Sequence, residues 1–402
     1  MKIGIIGGGA SGMSAALAAA SLPEAEVTVL ERQARVGRKL AATGNGRCNL
    51  SNLHALEGGF HGDDPDFSRY ALEQFSPEQT LSWFRQLGLF TVAEPSGRIY
   101  PHSDQANSVV DVLRFGLEQE RIRLLTDWEV RRIRRQDGGF LVEGQEKQEF
   151  FDRLIVACGG VAGSKLGGTM SGYQLLRSMG HKCTKLRPAL VQVKTGWRGI
   201  SALKGVRAVC HAAIYHDGSL HRQSQGEVQF TDFGLSGPCM YEITRDACQG
   251  GGEWECRLDF LPQISARELE QELLRRRTTA WMTDDLLTGI LHNRLGRVLC
   301  QDAEIRSHLE ISQLSEQEIR RVVQNVKDFS VSLTELLGMD SAQVTAGGIL
   351  TSEFDPTTME SRLVPGLYAC GEVLDVDGDC GGYNLQWAWS SGRLAGLHAG
   401  KE

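Results

Sequence analysis

The sequence predicts an α/β fold: a doubly wound parallel-sheet domain interrupted by an inserted β-barrel plus helical domain. Three observations carry this. The first 31 residues read as a β-α-β unit. Two later apolar runs, Leu154–Ala157 and Leu367–Cys370, are each closed by glycine, as buried parallel strands are. Between about 186 and 345 the pattern changes to hairpins and then to helices.

In the first unit, Lys2–Ile6 is a short apolar strand, Ala10–Ala20 a helix of small residues ended by Pro23, and Glu26–Glu31 a second strand. The run Ile3–Ala20 mimics a secretory leader, but Gly4, Gly7, Gly8, Gly9 and Gly12 interrupt it, so it reads as strand, turn and helix. Residues 122–151 alternate short strands with turns, including Gly138–Gly139, and predict a small antiparallel meander, in which Val130 is an expected cofactor contact. Ala208–Tyr215, a turn at Asp217–Gly218, Glu227–Thr231 and Trp254–Phe260 are strand-like. Ser265-x-x-Glu268 and Ser315-x-x-Glu318 are capping boxes that open helices. The expected domains are 1–185 and 346–402 for the doubly wound part and 186–345 for the insertion, whose helical lobe covers about 263–329. The last helix, Trp387–His398, is expected to pack back on the first domain.

Composition narrows the function. Hydrophobic residues are 41% and charged residues 23%, which fits a globular chain and excludes a disordered or fibrous one. The net charge is −7, and the runs Arg131–Arg132–Arg134–Arg135 and Arg275–Arg277 read as solvated faces, so no nucleic-acid partner is expected. No uninterrupted apolar stretch has the length of a membrane span. Of ten cysteines the nearest two are Cys248 and Cys256, which excludes a C-x-x-C redox pair or zinc spacing and points to a reduced, cytoplasmic protein.

The chemistry starts at Gly7-x-Gly9-x-x-Gly12. Gly7 permits a tight turn, Gly9 lets the backbone approach a pyrophosphate, and Gly12 lets helix and strand lie close. Ala10 and Ser11 open the helix, whose free N–H groups and dipole favour phosphate. Glu31 ends the second strand, 19 residues after Gly12, where an acid binds ribose hydroxyls and disfavours a 2′-phosphate; Arg32 follows it. The pattern is that of an FAD- or NAD(P)-binding Rossmann-like domain. Three further features favour FAD, the longer ligand. They are Gly37-Arg38-Lys39, then Cys158-Gly159-Gly160 after the second buried strand, and Gly371-Glu372 after the third. No second Gly-x-Gly-x-x-Gly follows a strand, so NADH or NADPH is expected to visit transiently rather than to hold its own domain.

Two segments are candidates for the flavin ring. In Thr43-Gly44-Asn45-Gly46-Arg47-Cys48-Asn49, glycines and asparagines expose backbone donors, and Arg47 is a candidate to meet an anionic substrate or the flavin. Cys48 has no nearby histidine and reads as packing rather than a nucleophile. In Gly381-Gly382-Tyr383-Asn384-Leu385-Gln386, the glycines allow close approach to a planar ring and the helix start favours electron density on it. Arg47 and Tyr383 are the candidate catalytic residues, with His102 a weaker third. Asp375, Asp377 and Asp379 alternate, but the spacing and terminal glutamate of a calcium loop are missing, so no metal is expected.

Together with Gly97-Arg98-x-x-Pro101-x-Ser103, Phe230-Thr-x-x-Gly234-Leu-Ser-Gly-Pro238 and Ala346-Gly-Gly348, these elements make the chain resemble the BaiN-like (YhiN-like) bacterial flavoproteins over nearly its full length. The resemblance implies an FAD domain with a β-barrel and helical insertion. It also implies an activity like those of its members, which include a bile-acid reductase using reduced nicotinamide and an aminoacetone oxidase. The expectation is an FAD-dependent oxidoreductase acting on a small-molecule substrate, with the cofactor carrying the chemistry. The rivals are an oxygen-using amine or amino-ketone oxidase, a flavin-dependent RNA-modifying or RNA-binding protein, and a flavin-binding sensor without turnover. Oligomeric state is not encoded in these motifs.

Overall fold

The computed structural model describes residues 1–401 apart from 121, 246, 249 and 250. It divides into two units, one of Met1–Pro188 with Met339–Glu402 and one of Ala189–Gly338.

The first unit is built on a five-stranded parallel sheet. Its strand order is Leu367–Ala369, Arg153–Val156, Lys2–Ile6, Glu26–Leu30, Arg123–Leu125. The four inner residues of each of the two N-terminal strands are buried, as their apolar runs require. The chain enters the sheet at its centre and leaves at both edges, which makes the domain doubly wound. A three-stranded antiparallel sheet follows, Arg132–Gln136, Gly139–Glu143 and Gln148–Phe151. Its first turn is Asp137–Gly138, one residue earlier than expected. A two-residue hairpin turn of this kind needs positive φ at both positions, and Asp137 (48°) and Gly138 (80°) supply it.

The final helix runs from Tyr383 to Ala399, a full turn longer at its start than its apolar pattern suggested. It packs on the helix Ala10–Ala20, as expected. Glycine makes the approach possible. A Cβ on Gly392 would lie 2.3 Å from the Ser11 carbonyl oxygen, and one on Gly396 would lie 2.2 Å from that of Ala15. Trp387 and Trp389 of this helix are fully enclosed. Gln386 is buried as well, and its amide is satisfied throughout. Nε2 donates to the Phe75 carbonyl, Thr80 Oγ1 and Ser390 Oγ, each at 2.9 Å, while Oε1 accepts from Ser51.

The second unit holds a closed barrel in the order Val193–Thr195, Gly234–Ser236, Ser219–Phe230, Arg207–His216, Trp254–Asp259, Phe329–Leu336. The hairpin turn at Asp217–Gly218 has positive φ at both residues. The closing strand, Phe329–Leu336, begins where the expected helical lobe ends and is not among the strands expected from sequence. Its buried-exposed alternation is plain in Phe-Ser-Val-Ser-Leu-Thr. Both capping boxes form, Ser265 with Glu268 and Ser315 with Glu318, and open the helices Ala266–Arg276 and Glu316–Lys327. No helix among the described residues is long and apolar enough to cross a membrane.

Candidate functional site

The glycine turn has the geometry its spacing requires. Gly7 sits at φ 109° with its N–H bonded to the Leu30 carbonyl. A Cβ on Gly12 would stand 1.9 Å from the Gly7 oxygen, so only glycine lets the helix lie there. Gly9 differs: a Cβ built on it meets no atom within 4 Å. Gly9 also caps the helix Ala10–Ala20, and no side chain satisfies that helix start. Exposed backbone donors at a helix N-terminus are what a pyrophosphate needs.

Glu31 closes the turn from the other side. Its carboxylate accepts the N–H of Gly8 and that of Gln33, each at 2.7 Å, which fixes the carboxylate and leaves further lone pairs on each oxygen. The Trp128 N–H bonds to the Glu31 carbonyl, and the buried Val130 lies two residues on. Arg32 donates to the Gly167 carbonyl at 3.0 Å, and Arg38 to Gln33 at 2.9 Å. Gly37, at φ 72°, starts the short helix Arg38–Ala42.

Distant segments then converge on Glu372. Its carboxylate meets Lys39 Nζ at 2.8 Å and accepts the Thr345 N–H at 2.8 Å. A Cβ on Gly160 would strike Thr345 Oγ1 and Glu372 Oε1, and one on Gly371 would strike Ser11 Oγ. Gly159, at φ 69°, meets nothing. Cys158 is half-buried beside them, and desolvation, reinforced by Glu31, pushes its thiol to about 12.

The loop after Ala42 is tightly wound. Gly44, Asn45, Gly46 and Cys48 all have positive φ. Arg47 ends it in a double ion pair, with Asp104 at 2.5 Å and Glu94 at 3.3 Å, and lies 4.1 Å over the Tyr100 ring. Hydrogen bonding to Asp104 raises its pKa, so it is a permanent cation already matched to two carboxylates. Cys48 is fully buried, and burial pushes its thiol to about 12, a packing residue rather than a thiolate. Asn49 Oδ1 is buried with no hydrogen-bond partner, an acceptor that awaits a donor.

That oxygen faces the start of the final helix. A Cβ on Gly382, whose φ is 103°, would lie 2.2 Å from the Ser51 carbonyl oxygen and 2.9 Å from Asn49 Oδ1. Asn52 Nδ2 donates to the Gly381 carbonyl at 2.8 Å. The Asn384 amide is committed to backbone: it accepts from the Gly378 N–H at 2.8 Å and donates to the Gly378 carbonyl at 2.7 Å. Tyr383 stacks edge-on against Phe60. Leu385 packs against the core. His102 stands exposed, its N–H bonded to the Phe90 carbonyl.

The structure thus gathers Gly7–Gly12, Lys39, Cys158–Gly160 and Gly371–Glu372 at one end, and Asn49 with Gly381–Gly382 at another. The sequence reading missed Thr345, Asn52 and Tyr100. Thr345 and Tyr100 sit inside or beside motifs it quoted, so position was visible while the side chain's direction was not. Among the described residues no group of three or more His, Cys, Asp or Glu could hold a metal ion.

Comparison with known proteins follows this geometry. A family model described as the HI0933-like protein Rossmann domain matches residues 1–398. The chain is 40% identical to a 3-dehydro-bile acid delta(4,6)-reductase of Clostridium scindens, covering 99% of this chain and 98% of that protein. It is 30% identical to a ribosomal RNA dihydrouridine synthase of Escherichia coli, covering 96% and 95%. Among solved structures, 3-ketosteroid delta1-dehydrogenase from Sterolibacterium denitrificans aligns over 99% of both chains with a TM-score of 0.51 at 13% identity, a likeness of fold.

Proposed function

The chain belongs to the HI0933-like family of Rossmann-domain proteins, and from that premise we propose that it is an FAD-dependent oxidoreductase that reduces a small conjugated acceptor with hydride from reduced nicotinamide. The observation that carries the cofactor reading is the contrast within one turn, in which Gly7 and Gly12 are closed by backbone while Gly9 is open beside an uncapped helix start.

The residues fit FAD. The N–H groups behind Gly9 would hold the pyrophosphate, and the fixed carboxylate of Glu31 would take the ribose. Lys39, Cys158–Gly160 and Gly371–Glu372 would line the middle of the cofactor. The unpartnered Asn49 Oδ1 and the helix start at Gly382–Tyr383 would meet the ring. When bound, FAD supplies two-electron hydride transfer. The chain's own part is to bind, orient and exclude water. Arg47, bound to Asp104 and Glu94, holds the loop 43–49 in place.

The relatives support this choice of acceptor. A 3-oxo steroid with delta(4,6) double bonds and a uracil ring share one feature, a carbon–carbon double bond conjugated to a carbonyl. The higher identity, 40% against 30%, and the net charge of −7 favour the small acid over RNA.

Anaerobic mixing with NADH and with NADPH tests the reading. The yellow flavin should bleach, and a 3-dehydro-delta(4,6) bile acid should restore it as one of its conjugated double bonds is reduced. Peroxide released from an amine in air without nicotinamide would make the protein an oxidase instead. Reoxidation by ribosomal RNA but not by the bile acid would move the acceptor to uridine.

A further inference from the structure

Reducing a conjugated double bond takes a hydride and a proton, and the residues singled out from sequence near the proposed ring are otherwise engaged. Arg47 is a matched, permanent cation. Cys48 is sealed. Tyr383 is wedged, with Gly59 and Gly378 so close that a Cβ on either would sit within 3 Å of its atoms.

Tyr100 is placed differently. It lies on the strand Arg98–Pro101, which pairs with Ser51–Asn52 on one side and Thr91–Ala93 on the other. Arg98 and Tyr100 project from the same face of that sheet, because side chains alternate along a strand. Asn52, paired directly with Arg98, shares that face. This face meets the turn before the final helix: Asn52 holds the Gly381 carbonyl, and a Cβ on Gly381 would lie 3.0 Å from Arg98 Nε. The phenol ring is 7% exposed, held between the Arg47 guanidinium at 4.1 Å and the Gly44 loop, where a Cβ would lie 3.8 Å from its edge. The face that carries Arg98 and Tyr100 therefore touches both segments proposed to hold the flavin ring, 381–384 through Arg98 and Asn52 and 43–49 through the Tyr100 phenol.

We propose that Tyr100 is the general acid that delivers the substrate proton; the proposal rests on the reductase reading above. One carbon of the acceptor's double bond takes the hydride that the reduced cofactor supplies. The π pair moves to the neighbouring carbon, conjugated with the carbonyl as an enolate. That carbon takes the proton: the Tyr100 Oη–H bond breaks and a C–H bond forms. The phenolate left behind stands beside the guanidinium groups of Arg47 and Arg98 until water returns a proton. Burial first, then Glu94, holds the phenol's pKa above its ordinary value, so the acid is loaded throughout the neutral range.

Three measurements test this. In Tyr100→Phe the ring and its contact with Arg47 remain, so bound FAD and the unfolding midpoint should match the wild type. Bleaching of the flavin by NADH should stay within about threefold, whereas reoxidation by the 3-dehydro-delta(4,6) bile acid should slow by about 100-fold or more, the share of a general acid. The wild-type reoxidation rate should fall at high pH, and that alkaline limb should vanish in Tyr100→Phe. Placing a fluorinated tyrosine at position 100, whose phenol is more acidic, should move the limb to lower pH. Equal reoxidation by Tyr100→Phe, or an alkaline limb that neither substitution moves, would overturn the assignment. A wild type that nicotinamide never bleaches, or that the bile acid never reoxidises, overturns the reductase reading itself.

Discussion

Replacing Gly9 with alanine should separate cofactor binding from folding. The backbone there has φ −81° and ψ −169°, which any residue adopts, and the new methyl meets nothing within 4 Å. Loss of unfolded-chain freedom favours the variant by about 0.4–1 kcal/mol, and the poorer helix cap costs about the same, so the apoprotein should change by less than about 1 kcal/mol. The same methyl would stand where the pyrophosphate approaches the backbone. Losing one charge-assisted hydrogen bond costs about 1.5–3 kcal/mol, or roughly 10–150-fold in FAD affinity. Gly12→Ala is the counterpart. Its Cβ would stand 1.9 Å from the Gly7 oxygen, so helix and strand must part, and the apoprotein should lose about 1–3 kcal/mol or more. Guanidinium unfolding of the apoproteins reads the first quantity, and titration of apoprotein with FAD reads the second. Wild-type FAD affinity in a folded Gly9→Ala protein would refute the placement of the pyrophosphate, and a large loss of apoprotein stability would refute the open geometry.

The other expectations are shorter. With its thiol near 12, Cys48 should be a thiolate in only about one molecule in ten thousand at pH 8, so iodoacetamide should not label it in the folded protein. Cys48→Ser should keep flavin reduction within about threefold. Gly382→Ala should drive its Cβ into the Ser51 carbonyl and lift the helix start, lowering the flavin's reduction potential by dye equilibration while FAD affinity changes little; an unchanged potential would place this segment away from the ring. His181 is buried, bonded through Nδ1 to Glu353 and through Nε2 to Ser361, both at 3.0 Å, and burial holds its pKa below the ordinary 6.5. A depressed pKa means that the unfolded chain takes the proton first. Stability is thus full above about pH 6.5 and is lost as pH falls towards the folded value, by no more than about 1.4 kcal/mol per unit. Urea midpoints between pH 7.5 and 5.5 should fall more steeply in the wild type than in His181→Gln.

Much of this was written locally. Alternation of apolar strand, glycine turn and small-residue helix identified the doubly wound domain, because each signal is carried by neighbours in sequence. Capping boxes at Ser265 and Ser315 were legible for the same reason: donor and acceptor are three residues apart. The strand Phe329–Leu336 follows directly on a long helix, past the end of the expected helical lobe, and pairing with Val193–Thr195 and Trp254–Asp259 makes it the closing strand.

The sequence by itself therefore determined the glycine turn, the acid at position 31 and the family of folds they belong to, since steric demands on a glycine act within a few residues. Tertiary structure alone decided which side chains share a site. Lys39 and Glu372 are 333 residues apart along the chain yet form an ion pair at 2.8 Å. The Asn384 side-chain amide, expected near the ring, holds Gly378, and Arg98 is brought to the Gly381 turn by its pairing with Asn52. Spacing along the chain sets what a residue can be, while strand register and helix packing, which draw on residues hundreds of positions apart, set where it points.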